Sequence, residues 1–114
     1  MKAPLLILGL MALVVADPAP VAAAPVRTAK AACALVKARV SARDQFPVSA
    51  IAFCDMIPEA SVPKEFYVLA LHGKRSDCEG ICSTNMGWFA VQKSTGRVFE
   101  WDMAEDKLGR AVTE

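Results

Sequence analysis

The segment GWFAVQKSTGRVFEWDM, residues 87–103, is the part of the chain that decides the fold. Two runs rich in aromatic and aliphatic residues, 87–92 and 97–103, flank a turn that ends in Gly96. Such runs are typical of β-strands, and Gly96 can adopt the left-handed conformation that short hairpin loops need. The segment predicts an antiparallel hairpin. Its second strand alternates apolar and acidic residues, so we expect one buried face and one acidic face toward water.

Two earlier segments also have strand character. Residues 65–72 are almost continuously apolar, which favours a central strand, and residues 50–55 form a shorter run before Pro58. With the hairpin they predict about four antiparallel strands. Residues 104–114 leave two interpretations open, a short terminal helix or an irregular tail.

A helix is predicted over residues 28–43. Thr28 is a suitable N-cap, and Ala29, Cys33, Val36 and Val40 recur at the spacing of one helical face. The simplest architecture is therefore an α+β domain, with one N-terminal helix packed on an antiparallel sheet of about four strands and stapled by disulfides.

The start of the chain has the pattern of a secretory signal peptide. Lys2 precedes an uncharged apolar run, and small residues at 14–16 offer a cleavage site after Ala16, with an alternative after Ala23. We expect residues 1–16 to be removed, residues 17–27 to be a flexible Pro/Ala-rich lead-in, and residues 28–114 to form a single domain. The protein would then be periplasmic or secreted. The apolar run is shorter than the about 20 residues that span a bilayer, so we expect no membrane contact after cleavage.

The charge is balanced. The whole chain has a formal charge of +1, and loss of Lys2 with the leader would bring it to zero. Nucleic-acid binding depends on clustered Lys and Arg that neutralise phosphates, so we expect no nucleic-acid partner.

Four cysteines follow the leader, and an exported protein would keep them as disulfides. We favour Cys33 with Cys54, which would tie the helix to the sheet and stabilise by roughly 3 kcal/mol, and Cys78 with Cys82, which would shape a loop. Crossed pairings remain open among the three connectivities.

No residue pattern indicates catalysis, a metal or a cofactor. His72 is the only histidine and no nucleophile motif accompanies it, while Glu100 and Asp102 would share one strand face without the context of a catalytic carboxylate pair. We interpret His72 as a polar residue at a strand end and the two carboxylates as solvent-facing. The protein is therefore predicted not to be an enzyme.

The connection over residues 73–86 is the most promising surface. It is long and charged, and a disulfide would pre-order it, which lowers the entropy lost on binding. Tryptophan is enriched among interface anchors, although Trp88 also fits a core position. The residues predicted to bind a partner are Lys74, Arg75, Asp77, Glu79 and Trp88.

Residues 87–102 resemble the terminal hairpin of small exported bacterial proteins with cystatin-like or NTF2-like folds. Several of those proteins are immunity proteins or inhibitors of cell-wall-degrading enzymes and toxins. The resemblance implies an exported binding protein whose partner is a protein such as a cell-wall hydrolase or a toxin. An alternative from another class is a small-ligand binder with an apolar pocket between helix and sheet, lined by residues such as Trp88 or Trp101.

Overall fold

The computed structural model describes residues 24–75 and 83–113. One helix packs on an open, five-stranded antiparallel sheet, and the strands follow one another across the sheet in chain order. The elements are α1 (Ala29–Asp44), β1 (Ile51–Met56), β2 (Phe66–Lys74), β3 (Ser83–Gln92), β4 (Val98–Asp102) and β5 (Lys107–Ala111). Short 3₁₀ turns lie at Val48–Ala50 and Glu59–Ser61. The predicted α+β class is confirmed, with five strands instead of about four.

The helix begins as the sequence predicts. The Thr28 side chain accepts a hydrogen bond from the Ala31 amide at 3.0 Å, which satisfies one of the amides that a helix start leaves without a partner. The helix ends where Gln45 adopts a left-handed conformation at φ 59°. Its fully buried side chains are those of Ala32, Val36 and Val40. The predicted face included Ala29 and Cys33 in place of Ala32, so the buried stripe is rotated slightly from the predicted one.

The side of the sheet that faces α1, called here the inner face, contains the main core. Phe89, Leu69 and Leu71 are its largest fully buried side chains. The rest of this cluster comprises Ala32, Val36, Val40, Ile51, Tyr67, Val91, Val98 and Val112. Strand alternation places every second residue of β2 and β3 here, and burial of these side chains is the dominant force that holds helix and sheet together.

The opposite side, called here the outer face, has a second and smaller cluster. Val68, Ala90 and Trp101 are buried in it. The connection between β1 and β2 folds against this cluster through Ile57 and Val62, and Phe66 and Trp88 pack on it as partly buried residues. The outer face is thus apolar as well, although no helix of the described residues covers it.

The fifth strand corrects the prediction for residues 104–114, which were expected to form a helix or a tail. β5 pairs with β4, and all five of its side chains are exposed. A strand without a buried side chain has no hydrophobic periodicity to reveal it, because pairing with its neighbour positions it. Val112, just after β5, is buried, and its amide donates to the Val98 carbonyl at 2.8 Å.

The hairpin turn between β3 and β4 binds the start of the described chain. The Ala24 amide donates to the Thr95 carbonyl at 3.3 Å, and the Val26 amide donates to the Lys93 carbonyl at 2.7 Å. Gly96 has φ 74°, so the predicted left-handed glycine is confirmed, and a Cβ there would lie 3.0 Å from the Ala24 carbonyl oxygen. The end of the predicted lead-in is therefore hydrogen-bonded to the hairpin.

A disulfide joins α1 to β1. Cys33 and Cys54 are bonded, with their Cα atoms 5.9 Å apart and a sequence separation of 21, which confirms the pairing favoured above. Cys78 and Cys82 lie outside the described residues. No helix in the described ranges is long and apolar enough to cross a membrane.

Candidate functional site

The candidate site is the end of the outer face that lies beside the β2–β3 connection. β1 and β2 meet there at Phe53 and His72, which are paired across the two strands. Their rings stack in parallel, with centroids 4.7 Å apart and planes 9° from each other. Phe53 is 42% exposed, so this stack presents an aromatic surface to solvent.

A β-bulge next to this stack sets which side chains face outward. Ala70 pairs with Trp88 but His72 pairs with Asn85, so β3 has one residue more than β2 between these two pairs. Gly87 absorbs the irregularity at φ 124°, and its amide donates to the Asn85 side chain at 2.7 Å. A bulge that re-aims side chains is common beside functional sites. Here it leaves Trp88 on the outer face and Met86 against the inner core.

The predicted partner-binding residues are only partly described. The β2–β3 connection is shorter than the predicted 73–86, because β2 runs to Lys74 and β3 starts at Ser83, and these strand ends pair with each other. Lys74 is exposed, and so is Arg75, which follows it. Trp88 lies in β3 and is partly buried. It packs on the outer cluster and also exposes part of its side chain to solvent. Asp77 and Glu79 lie outside the described residues.

Sequence reasoning missed Phe53. The signal was present, because side chains alternate along a strand: if Cys54 faces the helix to bond with Cys33, its neighbour Phe53 must face the other way. The disulfide prediction therefore already implied an aromatic residue on the outer face.

The candidate catalytic residues are not brought together. The Glu100 carboxylate lies 2.9 Å from the Arg43 guanidinium, and the Asp102 carboxylate accepts a hydrogen bond from the Glu105 amide in the β4–β5 turn. His72 Nδ1 is buried and has no hydrogen-bond partner among the described residues. Within residues 24–75 and 83–113, no group of three or more His, Cys, Asp or Glu side chains could hold a metal ion.

Glu100 also refines the predicted acidic face of β4. Its ion pair with Arg43 places it toward α1, together with the buried Val98, while Trp101 lies on the outer face. The alternation along the strand is as predicted. The acidic side is the helix side, because α1 ends over β4 with a basic residue instead of an apolar one.

Arg43 and Lys93 form ion pairs around the sheet, Arg43 with Asp44 and Glu100, and Lys93 with Glu59. Hydrogen bonding to Asp44, helped by Glu100, raises the pKa of Arg43, and the same bond to Arg43 lowers the pKa of Asp44. Hydrogen bonding to Glu59 raises the pKa of Lys93, which also lies 4.6 Å from the centre of the Tyr67 ring.

The expected pocket between helix and sheet has a different lining from the predicted one. A shallow groove of about 360 Å³, largely open to solvent, lies between α1 and β1 beside the disulfide. Its lining comprises Ala29, Lys30, Cys33, Ala34, Lys37, Cys54 and Met56. Trp88 and Trp101 do not line it, because strand alternation puts both on the outer face.

No protein-family model, curated protein or solved structure matches this chain.

Proposed function

We propose that the protein is an exported small binding protein that recognises a protein partner through the Phe53 end of the outer face. In this proposal it acts as an inhibitor or immunity protein against a cell-envelope hydrolase or toxin. The observation that carries the proposal is the exposed Phe53 ring stacked on His72, on a face that no described helix covers. Aromatic residues are enriched in the centres of protein interfaces, where they supply most of the binding energy.

The surroundings of this stack fit an interface. Lys74 and Arg75 stand at the end of the same strand as His72, so basic groups border the aromatic surface. Interfaces commonly have this arrangement of an apolar centre and a charged rim. The stack also rests on a paired, disulfide-linked strand, and a rigid platform reduces the entropy lost when a partner binds.

Export is supported by the leader-like start of the sequence and by the Cys33–Cys54 bond, since disulfides persist in oxidising compartments. An envelope protein is therefore the partner to test first.

The experiment is affinity purification of the oxidised protein from cell-envelope extract and culture supernatant at physiological salt, with mass spectrometry of what is retained. Phe53→Ser should weaken capture of a stoichiometric partner by at least about tenfold, as expected for an interface anchor. Met103→Ser is the matched control, because Met103 is 44% exposed, almost the same as Phe53, but follows β4.

The captured protein must also lose its own activity in the complex. If the Phe53→Ser and Met103→Ser variants capture the partner equally well, the Phe53 end of the outer face is not the binding surface. No stoichiometric partner from either fraction would overturn it.

A further inference from the structure

The groove between α1 and β1 combines an apolar lining with two cationic side chains. Ala29, Ala34, Met56 and the Cys33–Cys54 disulfide supply the apolar part, and Lys30 and Lys37 supply the charge. It lies on the helix side of the sheet, whereas the Phe53 stack lies on the outer face. The two surfaces are therefore independent sites.

The helix geometry makes the two lysines act together. Lys30, Ala34 and Lys37 are spaced i, i+4 and i+7, so they lie along one stripe of α1, with Lys30 and Lys37 about 10.5 Å apart along the axis. Lysine side chains are long and can bend toward each other across Ala34. A single negative group above Ala34 is therefore within reach of both amines.

The surrounding charge favours an anion over a cation. Residues 24–43 contain several Lys and Arg and no acidic residue, and the first turn of α1 has no carboxylate. The positive end of the helix dipole is at the same end of the groove. A ligand with a negative head and an apolar body would match both parts of the lining.

The volume limits the size of that ligand. A water-sized group occupies roughly 30 Å³, so a groove of about 360 Å³ holds on the order of twelve non-hydrogen atoms. This corresponds to a carboxylate with a single alkyl chain of about nine carbons, such as decanoate. Methionine adapts readily to such a chain because its side chain is flexible and polarizable.

We infer that this groove is a binding site for single-chain amphipathic carboxylates. The alkyl chain lies between Ala34 on α1 and Cys54 and Met56 on β1, and the carboxylate is held by Lys30 and Lys37. The inference does not depend on the protein partner proposed above.

The probe is decanoate, titrated calorimetrically into the oxidised protein below the concentration at which it forms micelles. Saturable binding of one decanoate per chain is expected, with weaker binding of nonyltrimethylammonium, which has the same alkyl chain and the opposite charge. Equal binding of the two amphiphiles, or no saturable binding of decanoate, would overturn the inference.

Two pairs of variants locate the site. Lys30→Gln with Lys37→Gln should weaken decanoate binding about fivefold, the size expected for two solvent-exposed ion pairs, while Lys64→Gln with Lys107→Gln should not. Ala34→Phe should fill the groove and abolish binding, whereas Ala42→Phe, two turns further along the helix, should leave it intact.

Melting curves of all four variants check that the fold is retained. If Ala34→Phe fails to fold, the comparison of the Lys30/Lys37 and Lys64/Lys107 double variants still tests the site, because these surface charges can be removed without disturbing the core. Unchanged affinity in the Lys30/Lys37 double variant would mean that the amphiphile binds elsewhere.

Discussion

The two faces of the sheet are both apolar, but only one is closed. On the inner face, α1 reduces the exposure of Phe89 to 2% and that of Leu69 and Leu71 to zero. On the outer face, the β1–β2 connection covers the end near Phe66, and Phe53 at the other end keeps 42% of its surface exposed. Buried apolar surface stabilises the fold, whereas a solvent-exposed aromatic surface is available to a partner. The comparison separates the residues that hold the fold from those that can bind.

The strongest test of this division compares one phenylalanine from each face. Phe89→Ala should lower the free energy of unfolding by about 3–5 kcal/mol, because it leaves a cavity in the closed core. Phe53→Ala should cost less than about 1 kcal/mol, since its ring is already half in water. Urea unfolding measures both, and equal costs would show that the outer end is part of the core.

The disulfide joins the helix to the edge of the closed inner face. Replacing Cys33 and Cys54 with alanine should lower the free energy of unfolding by about 3 kcal/mol, because a 21-residue loop is no longer constrained in the unfolded chain. The matched control is the double replacement of Cys78 and Cys82, because the bond predicted between them would close a much shorter segment and its loss should cost less. Thermal melting compares the two double variants. Similar losses of stability would contradict the prediction that Cys33–Cys54 stabilises the fold while Cys78 and Cys82 only shape a loop.

The bulge decides which residues near the loop belong to which face. Gly87→Ala should cost about 1–3 kcal/mol, because a residue with a side chain rarely adopts φ 124° and its Cβ would lie 3.1 Å from the Phe89 ring. Asn85→Ala removes only the acceptor of the Gly87 amide and should cost about 1 kcal/mol. Chemical denaturation gives both values. If Asn85→Ala costs more than Gly87→Ala, the turn geometry is not what fixes the bulge.

The smallest effect concerns the rim of the inner face, where Arg43 pairs with Asp44. Because the pKa of Asp44 is lower in the folded state than in the unfolded chain, the pair stabilises above the unfolded value of 3.8 and loses its effect as the pH falls through the folded pKa. The Asp44 side chain is 44% exposed, so the contribution should be below about 0.5 kcal/mol. Between pH 2 and 6, the free energy of unfolding of Asp44→Asn should depend slightly less on pH than that of the unaltered protein. A much larger difference would mean that the pair is shielded from solvent.

The parts of the fold with a strong local pattern were predictable. Thr28 as a cap, Gly96 as a left-handed turn residue, four of the strands and the Cys33–Cys54 bond all have short-range signals or a small number of alternatives. β5 was not predicted, because its five exposed residues have no periodicity. The exposure of Phe53 was missed because it depends on how far the helix and the β1–β2 connection reach across the sheet, and tertiary packing determines that reach.

The hydrogen bonds from Ala24 and Val26 to the β3–β4 turn fix where the chain enters the domain. That turn follows β3 at Gln92, whereas the Phe53–His72 stack lies level with Asn85, the partner of His72, so roughly 23 Å of strand separates them. A fusion partner joined directly before Ala24 would therefore attach at the end of the sheet opposite the aromatic stack. Attachment at that point leaves the aromatic stack facing away from the fusion partner and accessible from solution.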